Sequence, residues 1–174
     1  MDVKKQALET NKFDELTWNK IDGKNVPLLR RHAVNGIIKQ ILTHNNNNQY
    51  TGCLAIGKSG SGKTTLTKRI MHGIHTAPEE WKLPSEYQFH WFTGEDMFKM
   101  PKIIKGLTQG VNHFIVFDDA SYTLEDASKT EMAVLANALT KIRHEVKGKC
   151  IVWMNIHYSK ATKKFFRDVD FQFA

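Results

Sequence analysis

Residues Gly57 to Thr65 read GKSGSGKTT and fit the pattern G-x-x-x-x-G-K-[ST], with Gly57, Gly62, Lys63 and Thr64 in the fixed places. The pattern constrains the fold because it acts only between a buried strand and a helix. Both are present. Cys53 to Ile56 (CLAI) is a short apolar run, and Thr64 to His75 carries Leu66, Ile70 and Ile74 at helical spacing. Glycines let a backbone curl closely around a triphosphate and aim its N–H groups at the oxygens. The cofactor-binding residues on this reading are Gly57, Lys58, Ser59, Gly60, Ser61, Gly62, Lys63, Thr64 and Thr65. Lys63 reaches the β/γ-phosphates and is counted as catalytic, while the Thr64 hydroxyl holds Mg²⁺. The phosphates rest on a helix N-terminus. ATP and Mg²⁺ are therefore the expected cofactors. A chance glycine-rich loop is the competing explanation, and the flanking strand and helix weigh against it.

A length of 174 residues suits one α/β domain with a buried sheet. From the first strand onward apolar runs alternate with helical patterns, which predicts a three-layer α/β fold with a mostly parallel sheet. The predicted strands are Cys53–Ile56, Tyr87–Phe92, His113–Phe117, Cys150–Met154 and Val169–Phe173. Helices are expected over Thr64–His75, Met97–Leu107 (interrupted by Pro101), Lys129–His144 and Ala161–Arg167. Residues 1–49 read as an N-terminal extension and 50–174 as the nucleotide-binding domain. Within the extension Pro27 is expected to open an amphipathic helix to about Thr43, with Leu29 (or Leu28), Val34, Ile37, Ile38, Ile41 and Leu42 on its apolar face. The run NNNNQ, Asn45 to Gln49, reads as a loop. Trp81, between Pro78 and Pro84, looks exposed.

The third strand ends in acids, HFIVFDDAS. Parallel sheets bind ligands at the carboxyl edge of their strands, where a Mg²⁺-nucleotide site needs carboxylates. Asp118 would be the second metal ligand, directly or through water. Asp119 would polarise the attacking water, or else be a turn residue before Ala120-Ser121, and Glu95 is the next candidate base. The fourth strand ends CIVWMNIHYS, where Asn155 is expected to orient water or touch the γ-phosphate, unless it caps the next segment. His157 ranks behind it. Arg143 and Arg167 each close a helix, and either could serve a neighbouring subunit as an arginine finger. The alternatives are a cation at a helix C-terminus for Arg143 and a salt bridge to Asp168 or Asp170 for Arg167.

The formal net charge of +7 and pI of about 9.4 favour a polyanionic partner, nucleic acid first, against the plainer account of a soluble lysine-rich surface. Cys53 and Cys150 fall in predicted strands and read as core residues, with too few ligands nearby for zinc. No apolar run approaches the roughly 20 residues that span a bilayer. The N-terminal MDVKKQALETNKFDEL has no signal-like apolar stretch, so a cytosolic protein is expected.

GKSGSGKTT and FDDAS resemble the additional-strand P-loop ATPases, the division that includes the AAA+ and FtsK–HerA families; the resemblance covers about residues 50 to 174. IVFDDAS, a long helix ending IRH, and KKFFRDVDFQF resemble FtsK–HerA-like ATPases that package DNA into viral capsids. Those proteins usually carry Gln where this chain has Asn155, and many relatives carry Glu at the place of Asp119. The resemblance implies a sheet order, numbered by predicted strand, of 5-1-4-3-2. It also implies Mg²⁺-dependent ATP hydrolysis, a homo-oligomeric ring, and translocation of DNA, double-stranded by preference, in genome packaging of a viral or plasmid type. Capsid or replication proteins would be further partners. AAA+ proteins of the DnaA/DnaC type share the helix before the first strand, and superfamily-three helicases share the Asn. A loader or helicase is therefore the alternative, and a nucleotide-gated binding switch is the alternative of another class.

Overall fold

The structure, a computed structural model, describes residues 17–21, 24–28, 31–121, 126–157 and 169–173. Two antiparallel strands come first, β1 (Thr17–Ile21) and β2 (Lys24–Leu28), paired from Thr17↔Leu28 to Ile21↔Lys24. Pro27 therefore lies in a strand and does not open the helix. In a two-stranded sheet both strands are edges, where a proline's missing N–H is tolerated. The helix α1 runs Arg31–Asn48, shifted from the expected span of about 27 to 43.

The principal sheet has five strands: β3 (Tyr50–Ile56), β4 (Gln88–Thr93), β5 (His113–Asp118), β6 (Cys150–Ile156) and β7 (Phe171–Phe173). Their order is β4-β5-β6-β3-β7, and every pairing is parallel. This is the order 5-1-4-3-2 expected from the resemblance. The crossovers are α2 (Lys63–His75), a 3₁₀ turn over Gly94–Lys99 continuing into α3 (Met100–Gly106), and α4 (Lys129–Glu145). Pro101 sits in the first turn of α3, where its missing N–H costs nothing, so it starts that helix and does not interrupt it. A reciprocal pair, Ser128 with Glu131, caps the start of α4. The expected helix over Ala161–Arg167, Arg167 included, lies outside the described residues.

The run NNNNQ is mostly helix, because tertiary bonds hold it there. Asn45 is fully buried. Its Nδ2 donates to Thr51 Oγ1 (3.1 Å) and to the Cys150 carbonyl (2.9 Å), while its Oδ1 accepts from the Tyr87 hydroxyl (2.7 Å). Gln49, at φ 62, then ends the helix in the left-handed conformation and donates its N–H to the Asn45 carbonyl.

The sheet separates two cores. On one face α1 and α2 cover Cys53, Ala55, Phe114, Val116, Ile151 and Trp153. The two helices approach closely at Gly73, where a Cβ would collide with Ile38 Cδ1. On the other face α3 and α4 cover Leu54, Ile115, Phe117, Val152 and Met154. Trp81 is half-buried against the α1/α2 core, with Lys39 Nζ 5.8 Å from its ring centre, and is not the exposed residue expected. Cys53 and Cys150 are fully buried on adjacent strands but on opposite faces, so no bridge between them is possible, and burial pushes both thiols well above the usual range. Among the described residues no helix is long and apolar enough to cross a membrane.

Candidate nucleotide site

A parallel sheet delivers all its strand ends to one edge, and here the ends of β3, β5 and β6 meet. β6 lies between the other two, so residues after Ile56, Phe117 and Met154 converge although they are distant in sequence. They border a cavity of about 440 Å³ lined by Ser59–Thr65, Asp118, Asp119 and His157. That volume is within the range of small-ligand sites, roughly 300–1,000 Å³.

Backbone conformation builds the loop half. Gly60 (φ 74) and Gly62 (φ 89) both occupy the left-handed region, which a side chain would strain. Gly62 is the N-cap of α2, makes no side-chain cap bond and is followed by no acid in the first turn. The first N–H groups of α2 thus lack a side-chain acceptor and point with the positive end of the helix dipole, as an anion site requires. Lys63 Nζ is folded onto the loop, donating to the carbonyls of Gly57 (2.9 Å) and Lys58 (3.0 Å). Lys63 itself lines the cavity, although Gly57 and Lys58 do not, so its ammonium is close to any phosphate held there.

The acid half is a relay of side chains. Thr64 Oγ1 is 3.2 and 3.4 Å from the two Asp118 oxygens, although 54 positions separate the residues in the chain. A hydroxyl and a carboxylate side by side are the oxygen donor set a hard cation takes, so the residues present fit Mg²⁺. Asn155 Nδ2 donates to Asp118 Oδ1 (2.9 Å). Its own Oδ1 accepts from Trp153 Nε1 (2.9 Å) and Thr67 Oγ1 (3.1 Å). Asn155 is fully buried and absent from the cavity lining. Its amide is committed to fixing the Asp118 carboxylate, which differs from the expected contact with water or γ-phosphate.

Asp119 is exposed, with φ 55. Short acidic side chains tolerate this conformation better than most, and strained backbone of this type clusters at functional sites. The turn has a visible purpose: beyond it the Ala120 N–H returns to β6 and donates to the Asn155 carbonyl (3.0 Å). Gly94 permits the close packing, since a Cβ there would lie 2.5 Å from the Asp119 carbonyl oxygen. Asp119 Oδ1 is 2.9 Å from His157 Nε2, and the His157 N–H donates to Ser121 Oγ. The Asp119 carboxylate and the His157 ring thus share one rim of the cavity.

The structure brings together the loop residues, Lys63, Thr64, Asp118, Asp119 and, in a supporting place, Asn155. Glu95 is not in the cavity lining. Arg143 lies in the last turns of α4, on the backbone of that helix. Sequence reasoning missed Thr67, Trp153, Gly94 and Ser121. Two had a readable signal. Thr67 is one helical turn beyond Lys63, and Trp153 is two residues before Asn155 and so on the same face of its strand.

A sequence model of the family described as Novel STAND NTPase 5 matches residues 11–143. No curated protein matches the chain. Among solved structures, the Caenorhabditis elegans PCH-2 structure is similar over 82% of this chain and 41% of its own, with a TM-score of 0.58 and 11% identity. A structure of Drosophila ORC bound to DNA is similar over 84% of this chain and 42% of its own, with a TM-score of 0.54 and 14% identity. The chain thus spans about two fifths of the length of those proteins. At such identities the likeness shows the fold, a mostly parallel five-stranded α/β sheet like that of AAA+ ATPase structures.

Proposed function

Since the chain belongs to the Novel STAND NTPase 5 family, we propose that it binds ATP with Mg²⁺ and hydrolyses it, using the free energy to act on DNA. The carrying observation is the meeting of Thr64 and Asp118 at 3.2 Å beside the glycine loop. In this reading Lys63 and the amides at the start of α2 hold the β- and γ-phosphates, and Thr64 and Asp118 hold Mg²⁺. Thr64 and Asp118 would hold the metal beside the phosphates, where its charge would supply electrostatic stabilisation for phosphoryl transfer. Asn155 positions Asp118. Asp119 accepts a proton from the attacking water, and His157 orients its carboxylate. A general base of this kind contributes about a hundredfold or more in rate.

The DNA part rests on the net charge of +7 and on the resemblance to packaging ATPases. That resemblance favours a ring of copies acting on duplex DNA, with Arg143 or Arg167 completing a neighbour's site. A loader or helicase is the alternative. A nucleotide-gated switch has its own supporting observation: Asp119 is engaged by His157, which would restrain the base until the contact is released.

The test is the rate of phosphate release with no nucleic acid, with duplex and with single strands. A motor predicts acceleration by one of the two. It also predicts that Arg143→Ala or Arg167→Ala, inactive alone, regains turnover on mixing with Lys63→Ala. A monomer whose turnover ignores both nucleic acids and which shows no recovery on mixing would leave the switch.

A further inference from the structure

The cationic groups of the described chain are unevenly distributed. Helices α1 and α2 contain Arg31, Lys39, Lys63, Lys68 and Arg69 and not one Asp or Glu. On α2, Lys68, Arg69 and His72 are exposed, and Lys68 and His72 follow Thr65 at helical spacing on the outer face. Among the described residues neither Lys68 nor Arg69 lies within salt-bridge distance of a carboxylate. Beside this helix runs β4, an edge strand of the sheet. Phe89 packs in the α1/α2 core, and strand alternation puts Trp91 on the same face. Trp91 is one of only two large hydrophobic residues exposed among those described, at 38%. Lys68 Nζ lies 5.8 Å from its ring centre. Glu86 and Glu95 are near the ends of the strand, outside it.

We propose that Trp91 and the outer face of α2 form a binding surface for an unpaired segment of nucleic acid, a base stacking on the indole and the flanking phosphates meeting Lys68, Arg69 and His72. The inference rests on the DNA-binding part of the reading above but selects an unpaired strand, the substrate of the loader or helicase alternative, over the duplex, because duplex DNA hides its base faces and could use only the phosphate contacts. Charge complementarity selects the occupant: an acid-free helix beside an exposed indole fits a polyanion with aromatic bases. The exchange is favourable in magnitude. An exposed cation–π contact is weak compared with a base stacked on an aromatic ring. Lys68 therefore leaves the ring for a phosphate when a base arrives. The surface begins one turn beyond Thr64, so nucleic acid there would contact the same helix that holds the phosphates.

The test is fluorescence anisotropy of labelled oligo(dT), oligo(rU) and a blunt DNA duplex with the 174-residue protein. Trp91→Ala should weaken single-strand binding roughly tenfold and duplex binding far less. Trp91→Phe should recover most of the loss. Lys68→Ala should weaken all three and lower the slope of log affinity against log salt by about one. ATP turnover without nucleic acid should be unchanged in all three variants. Oligo(dT) and oligo(rU) bound alike would assign the site to single strands in general, and a preference for one would identify the sugar read. Wild-type binding that Trp91→Ala and Lys68→Ala leave intact would overturn this surface while sparing the DNA reading. No binding of any polynucleotide would overturn both. A variant that disrupts self-association without changing nucleic-acid affinity would assign the edge to a second copy and overturn the proposal.

Discussion

The two halves of the site are built on different physics. The glycine loop works through backbone: left-handed glycines and a helix start with no side-chain cap. The acid half works through side chains in series, Trp153 and Thr67 holding Asn155, Asn155 holding Asp118, and His157 holding Asp119. A backbone device is local, so nine consecutive residues specify it. A side-chain relay is assembled by sheet order, and its members are scattered across α2, β5 and β6. The loop half should therefore fail abruptly at single positions, and the acid half in graded steps.

The sharpest break is expected at Lys63. Lys63→Ala should reduce ATP turnover to background and weaken nucleotide binding while leaving the thermal unfolding midpoint near wild type, since the amine bonds only two loop carbonyls, one exposed and one part-buried. Wild-type turnover in this variant would remove the loop from the mechanism. Next is Asp119→Asn, expected to retain ATP binding and slow hydrolysis about a hundredfold or more. Single-turnover kinetics measure this, and a near-normal rate would place the base elsewhere.

The difference between the halves also explains what could be read in advance. GKSGSGKTT is contiguous and chemically explicit, so the loop, strand β3 and helix α2 were all legible. Apolar runs such as HFIVF and CIVWM gave the parallel strands, because a strand buried on both faces has little polarity to hide it. The sheet order came from resemblance, not from the runs themselves. Asn45 to Asn48 were misread as loop because the bonds that keep them helical reach Thr51, Tyr87 and Cys150, contacts no local pattern encodes. Pro27 was misread for a related reason: its tolerance depends on the strand having a free edge. Asn155 was correctly placed between the loop and the acid strand, but its partners Trp153 and Thr67 direct its amide at Asp118, which only the folded chain discloses.

A smaller, graded effect is expected inside that relay. Asn155→Ala would leave the buried Trp153 Nε1 without its acceptor and Asp118 without its amide donor, with Thr64 still beside it. Losing a buried hydrogen-bond partner costs about 1–3 kcal/mol, so chemical denaturation should show a loss of that size together with weaker Mg²⁺ dependence of ATP binding. Unchanged Mg²⁺ dependence would mean that Asp118 needs no support.

The smallest effect should come from outside the site. His90 Nε2 lies 3.0 Å from His113 Nδ1, and His113 Nε2 donates to the Thr108 carbonyl. His113 Nδ1 therefore accepts and His90 donates. Burial, and then His113, hold His90 below its usual pKa. The unfolded chain takes up this proton first, so the stability is intact above about pH 6.5 and declines as pH falls below it. His90→Gln should flatten that part of the stability–pH curve relative to wild type. An identical slope in both proteins would assign the titration to other groups.

The central claim is that the two halves join through one cation between Thr64 and Asp118. Phosphate release from ATP by the wild-type protein, measured with Mg²⁺ and again with the cation chelated, tests it most directly. The account predicts turnover that requires Mg²⁺ and that Asp118→Asn loses even when the cation is restored. Turnover indifferent to chelation, or wild-type Mg²⁺ dependence in Asp118→Asn, would contradict it.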